Sequence, residues 1–143
     1  MGIIKDILSK DEFIKQPPIL VDIGASGEIN NNWKKLAKYS ICLAFDADDR
    51  EVDYIENEQG DYKKLILFNQ AVTYDESSSV KFFLTKSPFC SSILEPDIDS
   101  LSSFPYADLF SIVGEEKVPA TNIPYILNQL NYKYRILKNI SYK

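Results

Sequence analysis

The stretch Ile19-Leu20-Val21-Asp22-Ile23-Gly24-Ala25-Ser26-Gly27 decides the fold. A short apolar run that ends at a glycine is typical of a strand buried on both faces, as in a parallel sheet. Residues 30–39 then have the pattern of a helix, with Trp33, Leu36 and Ala37 on one face and asparagines available as N-caps. The stretch therefore predicts a strand, a glycine turn and a helix.

The same alternation continues through the first half of the chain. Residues 41–45 predict a second buried strand that ends at Asp46, residues 50–58 a short helix, and residues 65–72 a third strand. Short connections between such elements indicate parallel strands with right-handed crossovers. The expected fold class is therefore α/β, with a Rossmann-like sheet.

The segments on either side of this unit follow other patterns. Residues 3–15 predict one amphipathic helix that Pro17 and Pro18 end, so residues 1–18 are expected to lead into a domain over residues 19–143. The remaining predictions are a strand over 80–85, a loop over 87–103, a strand over 109–120 interrupted at Gly114-Glu115-Glu116, a helix over 121–130 with Thr121 or Asn122 as cap and Pro124 in its first turn, and a strand over 134–138.

The composition excludes several classes of protein. The chain has 143 residues, a formal net charge of −5 and no histidine, which removes Ser-His-Asp triads, histidine zinc sites and a histidine base. Cys42 and Cys90 lack CxxC spacing, so no zinc ribbon or disulfide framework is indicated, and a reducing cytoplasm is the expected compartment. No basic run favours nucleic acid, and no apolar stretch is long enough for a membrane span. No metal is expected.

Glycines and carboxylates at the predicted strand ends indicate a ligand site. Gly24 and Gly27 allow a sharp turn close to a ligand, beside the free N–H groups of the following helix. Asp46 lies 24 residues after Asp22, near the offset of about 20 residues at which a carboxylate meets ribose hydroxyls in nucleotide-binding α/β folds. A purely structural alternative is that the glycines close a tight turn and that Asp46 and the aspartates after it cap the next helix.

The position of Asp22 favours one class of nucleotide ligand. It lies just before the turn, where a carboxylate would repel a pyrophosphate but attract a cation such as the ammonium and sulfonium of S-adenosylmethionine. The chain also lacks the third glycine of the usual dinucleotide-binding motif. At the end of the third predicted strand, Asn69 and Gln70, with Ala71 beside them, either hydrogen-bond an adenine edge or are ordinary turn residues.

Three strings of residues resemble the FkbM-type family of S-adenosylmethionine-dependent methyltransferases. They are VDIGASGE from Val21, FDADD from Phe45 and FNQAVTYDESSSVKFFLTKSPFCSSILEPD from Phe68. The resemblance implies a Rossmann-like class I methyltransferase that methylates a hydroxyl of a glycan or another small molecule. It also implies that Asp46 accepts the ribose hydroxyls. The residues implied to lie along the methionine part of the cofactor are Asp22, Gly24, Ala25 and Gly27, with Ser26 in the same loop.

The C-terminal part departs from the family pattern. Where the family has a strand reading like Phe-Leu-Lys-Ile-Asp and then a glycine turn, this chain has Ile136-Leu137-Lys138-Asn139-Ile140. We therefore expect an incomplete sheet, truncated or diverged, whose open edge favours self-association. Two alternatives stay open: a non-catalytic cofactor-binding domain and a nucleotide-binding oxidoreductase domain. No catalytic residue is assigned, because without histidine the base would be a carboxylate or another group.

Overall fold

Two small sheets, one parallel and one mixed, organise the protein. A computed structural model describes residues 2–25, 31–51 and 61–132. The strands are β1 (Ile19–Ile23), β2 (Ile41–Phe45), β3 (Lys64–Phe68), β4 (Ala71–Val72), β5 (Ser79–Thr85) and β6 (Ile112–Thr121). The helices are α1 (Ile3–Leu8), α2 (Asp11–Lys15), α3 (Asn31–Ala37), α4 (Ile98–Leu101) and α5 (Ile123–Gln129).

The first sheet has the order β1-β2-β3, and all its strands are parallel. The register places Ile19 beside Ile41 and Ile41 beside Lys64, so the carboxyl ends of the strands lie at one edge. These strands confirm the predicted α/β class, and their order is consistent with a Rossmann-like arrangement. One expectation was wrong: β1 is not buried on both faces, since Val21 is 41% and Ile23 59% exposed. Within the described residues, β1 pairs on one side only.

The core lies on both faces of β2, whose five residues are all buried. On one face, Leu43 and Phe45 belong to a cluster with Ile126 of α5, and the ring of Phe45 stacks on Phe68 at 4.7 Å. On the other face, Cys42 packs with its neighbours in a second, smaller cluster. Because both faces of β2 are covered, the strand is tightly packed, and the residue that follows it, Asp46, has a well-defined position.

The predicted third strand divides into two. Residues 64–68 form β3 in the parallel sheet, whereas Ala71 and Val72 form β4 beside Ala120 and Thr121 in the second sheet. The chain leaves one sheet and enters the other at Asn69 and Gln70. The continuous apolar pattern hid this change, because a strand that crosses between sheets remains extended and apolar.

The second sheet has the order β4-β6-β5, with β6 parallel to β4 and antiparallel to β5. The predicted interruption of β6 at Gly114-Glu115-Glu116 was wrong, since these residues pair with Leu84, Phe83 and Phe82. The side chains of Glu115 and Glu116 are exposed, so they face water without breaking the ladder. Strand β5, predicted over residues 80–85, was correctly placed.

The N-terminal segment is two short helices rather than the one predicted helix. Lys10, at the junction of α1 and α2, has extended backbone angles (φ −73°, ψ 148°). Little holds a longer helix together, because Leu8 is the only buried residue of either helix, and short helices depend on packing for their stability. None of the helices within the described ranges has the length and hydrophobicity that crossing a membrane requires.

The helices later in the chain agree better with the sequence predictions. Asn122 caps α5 by accepting a hydrogen bond from Tyr125 N at 2.9 Å, and Pro124 lies in its first turn, as predicted. The predicted loop over residues 87–103 contains the short helix α4, which Asp97 caps. The helix predicted over residues 50–58 falls mostly, and the strand over residues 134–138 entirely, outside the described residues.

Candidate functional site

A cavity of about 170 Å³ lies at the carboxyl ends of the parallel strands. Four of the predicted site residues line it, namely Gly24, Asp46, Gln70 and Ala71. They come from the ends of β1, β2 and β3 and from β4, so the parallel register gathers residues that are distant in sequence. This edge of an open α/β sheet is the usual place for a ligand.

The glycine turn after β1 has the conformation that its sequence requires. Gly24 has φ +73°, in the left-handed region that favours glycine, and its N–H donates to Phe45 O at 2.9 Å. Ala25 also donates to Phe45 O, but its side chain is buried with Cys42 and Ala44, so it supports the core instead of lining the cavity. The other two candidates in this loop, Ser26 and Gly27, lie outside the described residues.

Asp46 is the carboxylate in the cavity wall, and only 7% of it is exposed. Its Oδ1 accepts a hydrogen bond from Asp48 N at 2.9 Å, and its own N–H donates to Phe68 O at 3.1 Å. The structural alternative has Asp46 cap the next helix; in the structure Asp46 closes the turn after β2, and it also lines the cavity. A carboxylate has about four acceptor positions, so it can accept more than one hydrogen bond at the same time.

Asp22 is not among the residues that line the cavity. The side chain is half-buried on β1, beside Ala44 of β2. Burial raises its pKa above the ordinary 3.8, and the nearby charge of Asp46 raises it further. Two carboxylates that repel each other at one sheet edge create a negative potential that favours a cationic group.

The two amide residues predicted to meet an adenine differ in placement. Gln70 lines the cavity, and its Oε1 is buried without any hydrogen-bond partner. Asn69 is exposed and does not line the cavity. A buried amide oxygen without a partner is unusual in a folded protein.

An ion-pair network between Asp48 and Arg50 supports Ser91 in the cavity wall, and the sequence analysis missed this network. Asp48, only 1% exposed, receives two bonds from the Arg50 guanidinium, from Nε to Oδ1 at 2.8 Å and from Nη2 to Oδ2 at 2.5 Å. Arg50 also donates to Thr85 O at 3.1 Å and to Ser91 Oγ at 3.0 Å. The only sequence signal was the spacing Asp48-x-Arg50, which resembles an ordinary helix start.

Ser91 joins this network to the cavity. Its hydroxyl accepts from Thr85 N at 3.1 Å, and both Ser91 and Ser92 line the cavity. Main-chain bonds between Phe83 and Ser92, at 2.8 and 3.1 Å, fix the same loop to β5. The loop that contains Ser91 and Ser92, called the serine loop below, is thus a wall of the site that both side-chain and main-chain hydrogen bonds support.

The chemistry of the wall limits what the cavity can bind. Within the described ranges, no group of three or more histidine, cysteine or acidic residues could hold a metal ion. The cavity instead offers the Asp46 carboxylate, the amide of Gln70 and serine hydroxyls between apolar walls formed by Phe45 and Phe82. Such a mixture suits a partly apolar organic ligand that donates hydrogen bonds.

Comparisons of this chain with protein families, with characterised proteins and with solved structures gave no match. The α/β arrangement, with a parallel three-stranded sheet and a mixed sheet, is what the structure establishes about the fold. The kind of ligand follows from the residues around the cavity.

Proposed function

We propose that this chain is an S-adenosylmethionine-dependent methyltransferase with a Rossmann-like class I domain, similar to the FkbM-type family, and that the cavity holds the cofactor. The observation that supports the proposal best is the convergence of Gly24, Asp46 and Gln70 at one cavity from three separate strand ends. The sequence predicts that each contacts a different part of the cofactor: Gly24 the methionine part, Asp46 the ribose and Gln70 the adenine.

The charges favour this cofactor over a dinucleotide. Burial raises the pKa of Asp22, and the negative potential that Asp46 adds at this sheet edge raises it further. A pyrophosphate would be repelled there, whereas the ammonium and sulfonium of S-adenosylmethionine would be attracted. The alternative of a nucleotide-binding oxidoreductase is therefore disfavoured.

The hydrogen-bonding groups fit the adenosine part. The Asp46 carboxylate can accept from the ribose hydroxyls, and the unpartnered Gln70 Oε1 can accept from the exocyclic amine of adenine. The cavity of about 170 Å³ is smaller than the roughly 300–1,000 Å³ of most small-molecule sites. It would enclose only part of the cofactor, and we assign that part to the adenosine.

The reaction would be methylation of a hydroxyl on a glycan or another small molecule. When bound, the cofactor supplies a methyl group on a positively charged sulfur, and the acceptor oxygen forms the new C–O bond as the C–S bond breaks, while the hydroxyl proton leaves to a base. The chain's own contribution is to hold donor and acceptor in line, at about 3–3.5 Å before transfer. Asp46 and Gln70 would orient the donor, and the Arg50 network would fix the wall around it.

Isothermal titration calorimetry with S-adenosylmethionine tests the proposal. Wild-type protein should bind, and Asp46→Asn should weaken binding at least about tenfold, or about 1.4 kcal/mol. Asparagine keeps an oxygen for the bond from Asp48 N, so the variant should fold. Asp49→Asn is the matched control, because Asp49 is an exposed aspartate near Asp46 that does not line the cavity.

The outcomes separate the alternatives. No heat at millimolar S-adenosylmethionine, or equal binding by wild type and Asp46→Asn, would refute the cofactor site. Binding without methyl transfer to any hydroxyl acceptor would favour a non-catalytic cofactor-binding domain. A fluorescence titration with a reduced nicotinamide cofactor should show no binding; saturable binding would favour the oxidoreductase alternative.

A further inference from the structure

A second, larger cavity lies beside the candidate cofactor site. Its volume is about 640 Å³, within the range of roughly 300–1,000 Å³ found for small-molecule sites. The ends of β4 and β6, the loop over residues 76–78 and helix α5 form its wall. Gln70 lines both cavities, so the two share a wall.

Thr121 gives this cavity an unusual wall. The residue is 6% exposed, and its Oγ1 is buried without a hydrogen-bond partner. Gln70 Oε1 in the shared wall is the only other such side-chain atom found among the described residues. Buried polar groups in folded proteins almost always have partners, so the unpaired hydroxyl of Thr121, a residue that borders this cavity, points to a ligand that supplies a partner.

The other wall residues define the chemistry of that ligand. Glu76 is the only charged side chain among the described residues that line the cavity, and hydroxyl and amide side chains such as Ser78 and Gln70 share the rest of the wall with apolar ones. The negative charge of Glu76 opposes phosphates and carboxylates. Tyr125, 55% exposed, adds a flat apolar ring face with a polar tip.

We propose that this second cavity binds a neutral polyhydroxylated ligand of the size of a monosaccharide unit. The Tyr125 ring packs against the C–H face of the sugar, Glu76 accepts from its hydroxyls, and Thr121 Oγ1 becomes paired. A change of χ1 rotamer moves the Thr121 hydroxyl out of its buried position, and the ligand can then pair with it. In the proposed methyltransferase this ligand is the acceptor; that role rests on the proposed function, whereas the binding itself does not.

The test is an NMR titration of ¹⁵N-labelled protein without S-adenosylmethionine. The probes are D-glucose, D-galactose, L-rhamnose and N-acetyl-D-glucosamine, each to about 100 mM, which detects affinities in the millimolar range. At least one sugar should shift amide signals of residues 76–78 and 120–128 in a saturable way. Glucose 6-phosphate should bind at least about tenfold more weakly than glucose because of Glu76, and Glu76→Gln should reduce that difference.

Two variants and one control decide the assignment. Thr121→Val and Tyr125→Ala should each weaken sugar binding about tenfold, while Tyr74→Ala should leave it unchanged, because Tyr74 is 98% exposed and lies outside the cavity wall. Thr121→Val replaces an unpaired hydroxyl with a methyl group of similar shape, so it should fold at least as stably as wild type.

The proposal is overturned if none of the four sugars gives saturable shifts, or if both variants bind sugar like wild type. Its failure can be distinguished from failure of the proposed function. Sugar binding without any binding of S-adenosylmethionine would leave this site standing and refute the methyltransferase. The reverse result would leave the cofactor site standing and refute this one.

Discussion

Arg50 Nη2 donates to Ser91 Oγ over 3.0 Å, although 41 residues separate the two in sequence. Through this bond and a second one to Thr85 O, Arg50 ties the end of β2 to the end of β5 and to the serine loop. The same guanidinium pairs with buried Asp48. One side chain therefore connects the rigid centre of the parallel sheet to the wall of the candidate cofactor site.

Removal of Arg50 should destabilise the protein. Arg50→Ala should lower the free energy of unfolding by about 3 kcal/mol, because it leaves the Asp48 carboxylate buried without its ion-pair partner. Urea denaturation measures the change. Lys81→Ala is the matched control, since it breaks an ion pair with Glu115 in which the side chains are 57% and 50% exposed, and such pairs contribute under about 1 kcal/mol. Equal losses in the two variants would show that the Arg50 network does not stabilise the fold.

Asp22→Asn should stabilise the protein near neutral pH. Because burial and then Asp46 raise the pKa of Asp22 in the folded state above 3.8, the ionised form destabilises the fold above that raised pKa. The advantage of the amide should therefore disappear as the pH falls through the raised pKa toward 3.8. Urea denaturation from pH 7 to pH values below about 4 measures this.

Asp48→Asn provides the control of opposite sign. Burial alone would raise the pKa of Asp48, but hydrogen bonds from Arg50 and Ser91 and the charge of Arg50 outweigh it, so the pKa lies below 3.8. Its ionised form stabilises the fold above pH 3.8, and this stabilisation is lost as the pH falls through the lowered pKa. Asp48→Asn should thus be destabilised at neutral pH and approach wild type in acid. Parallel pH profiles for the two variants would contradict both assignments.

Gly24→Ala should reveal the requirement for a left-handed backbone. A Cβ at Gly24 meets no atom within 4 Å, so the expected loss of about 1–2 kcal/mol comes from its φ of +73° alone. Gly114→Ala is the control, because its φ lies outside the left-handed region and its Cβ makes only an ordinary 3.6 Å contact with Leu84 Cδ1. Thermal unfolding compares the two. A Gly114→Ala loss as large as that of Gly24→Ala would exclude this explanation.

The parallel sheet could be predicted because its signals are local. The run from Ile19 to Gly24 and the buried run from Ile41 to Phe45 each carry the apolar pattern and the terminating residue of a strand. The positions of Gly24, Asp46 and Gln70 at one edge then follow from the parallel direction of the strands. Part of the candidate cofactor site was therefore accessible from the sequence, since four of the predicted residues line its cavity.

The second sheet could not be predicted in the same way. Strand β6 pairs with β5 on one side and with β4 on the other, and neither contact leaves a local pattern at Gly114-Glu115-Glu116. The prediction of one helix in place of α1 and α2 was wrong for a related reason. The periodicity favoured a single helix, but almost nothing packs against these short exposed helices. Long-range pairing and burial decided these elements.

By itself, the sequence determined the three parallel strands in the first half of the chain, the sharp glycine turn after the first of them and the identity of the acidic strand ends. Only the tertiary structure decided which of these residues share a cavity. It also decided that Arg50 pairs with Asp48 and donates a hydrogen bond to Ser91, and that Thr121 and Gln70 carry buried atoms without partners. The reason is physical: backbone preferences act between neighbouring residues, whereas burial, ion pairing and cavities depend on groups that are distant along the chain and meet only after folding.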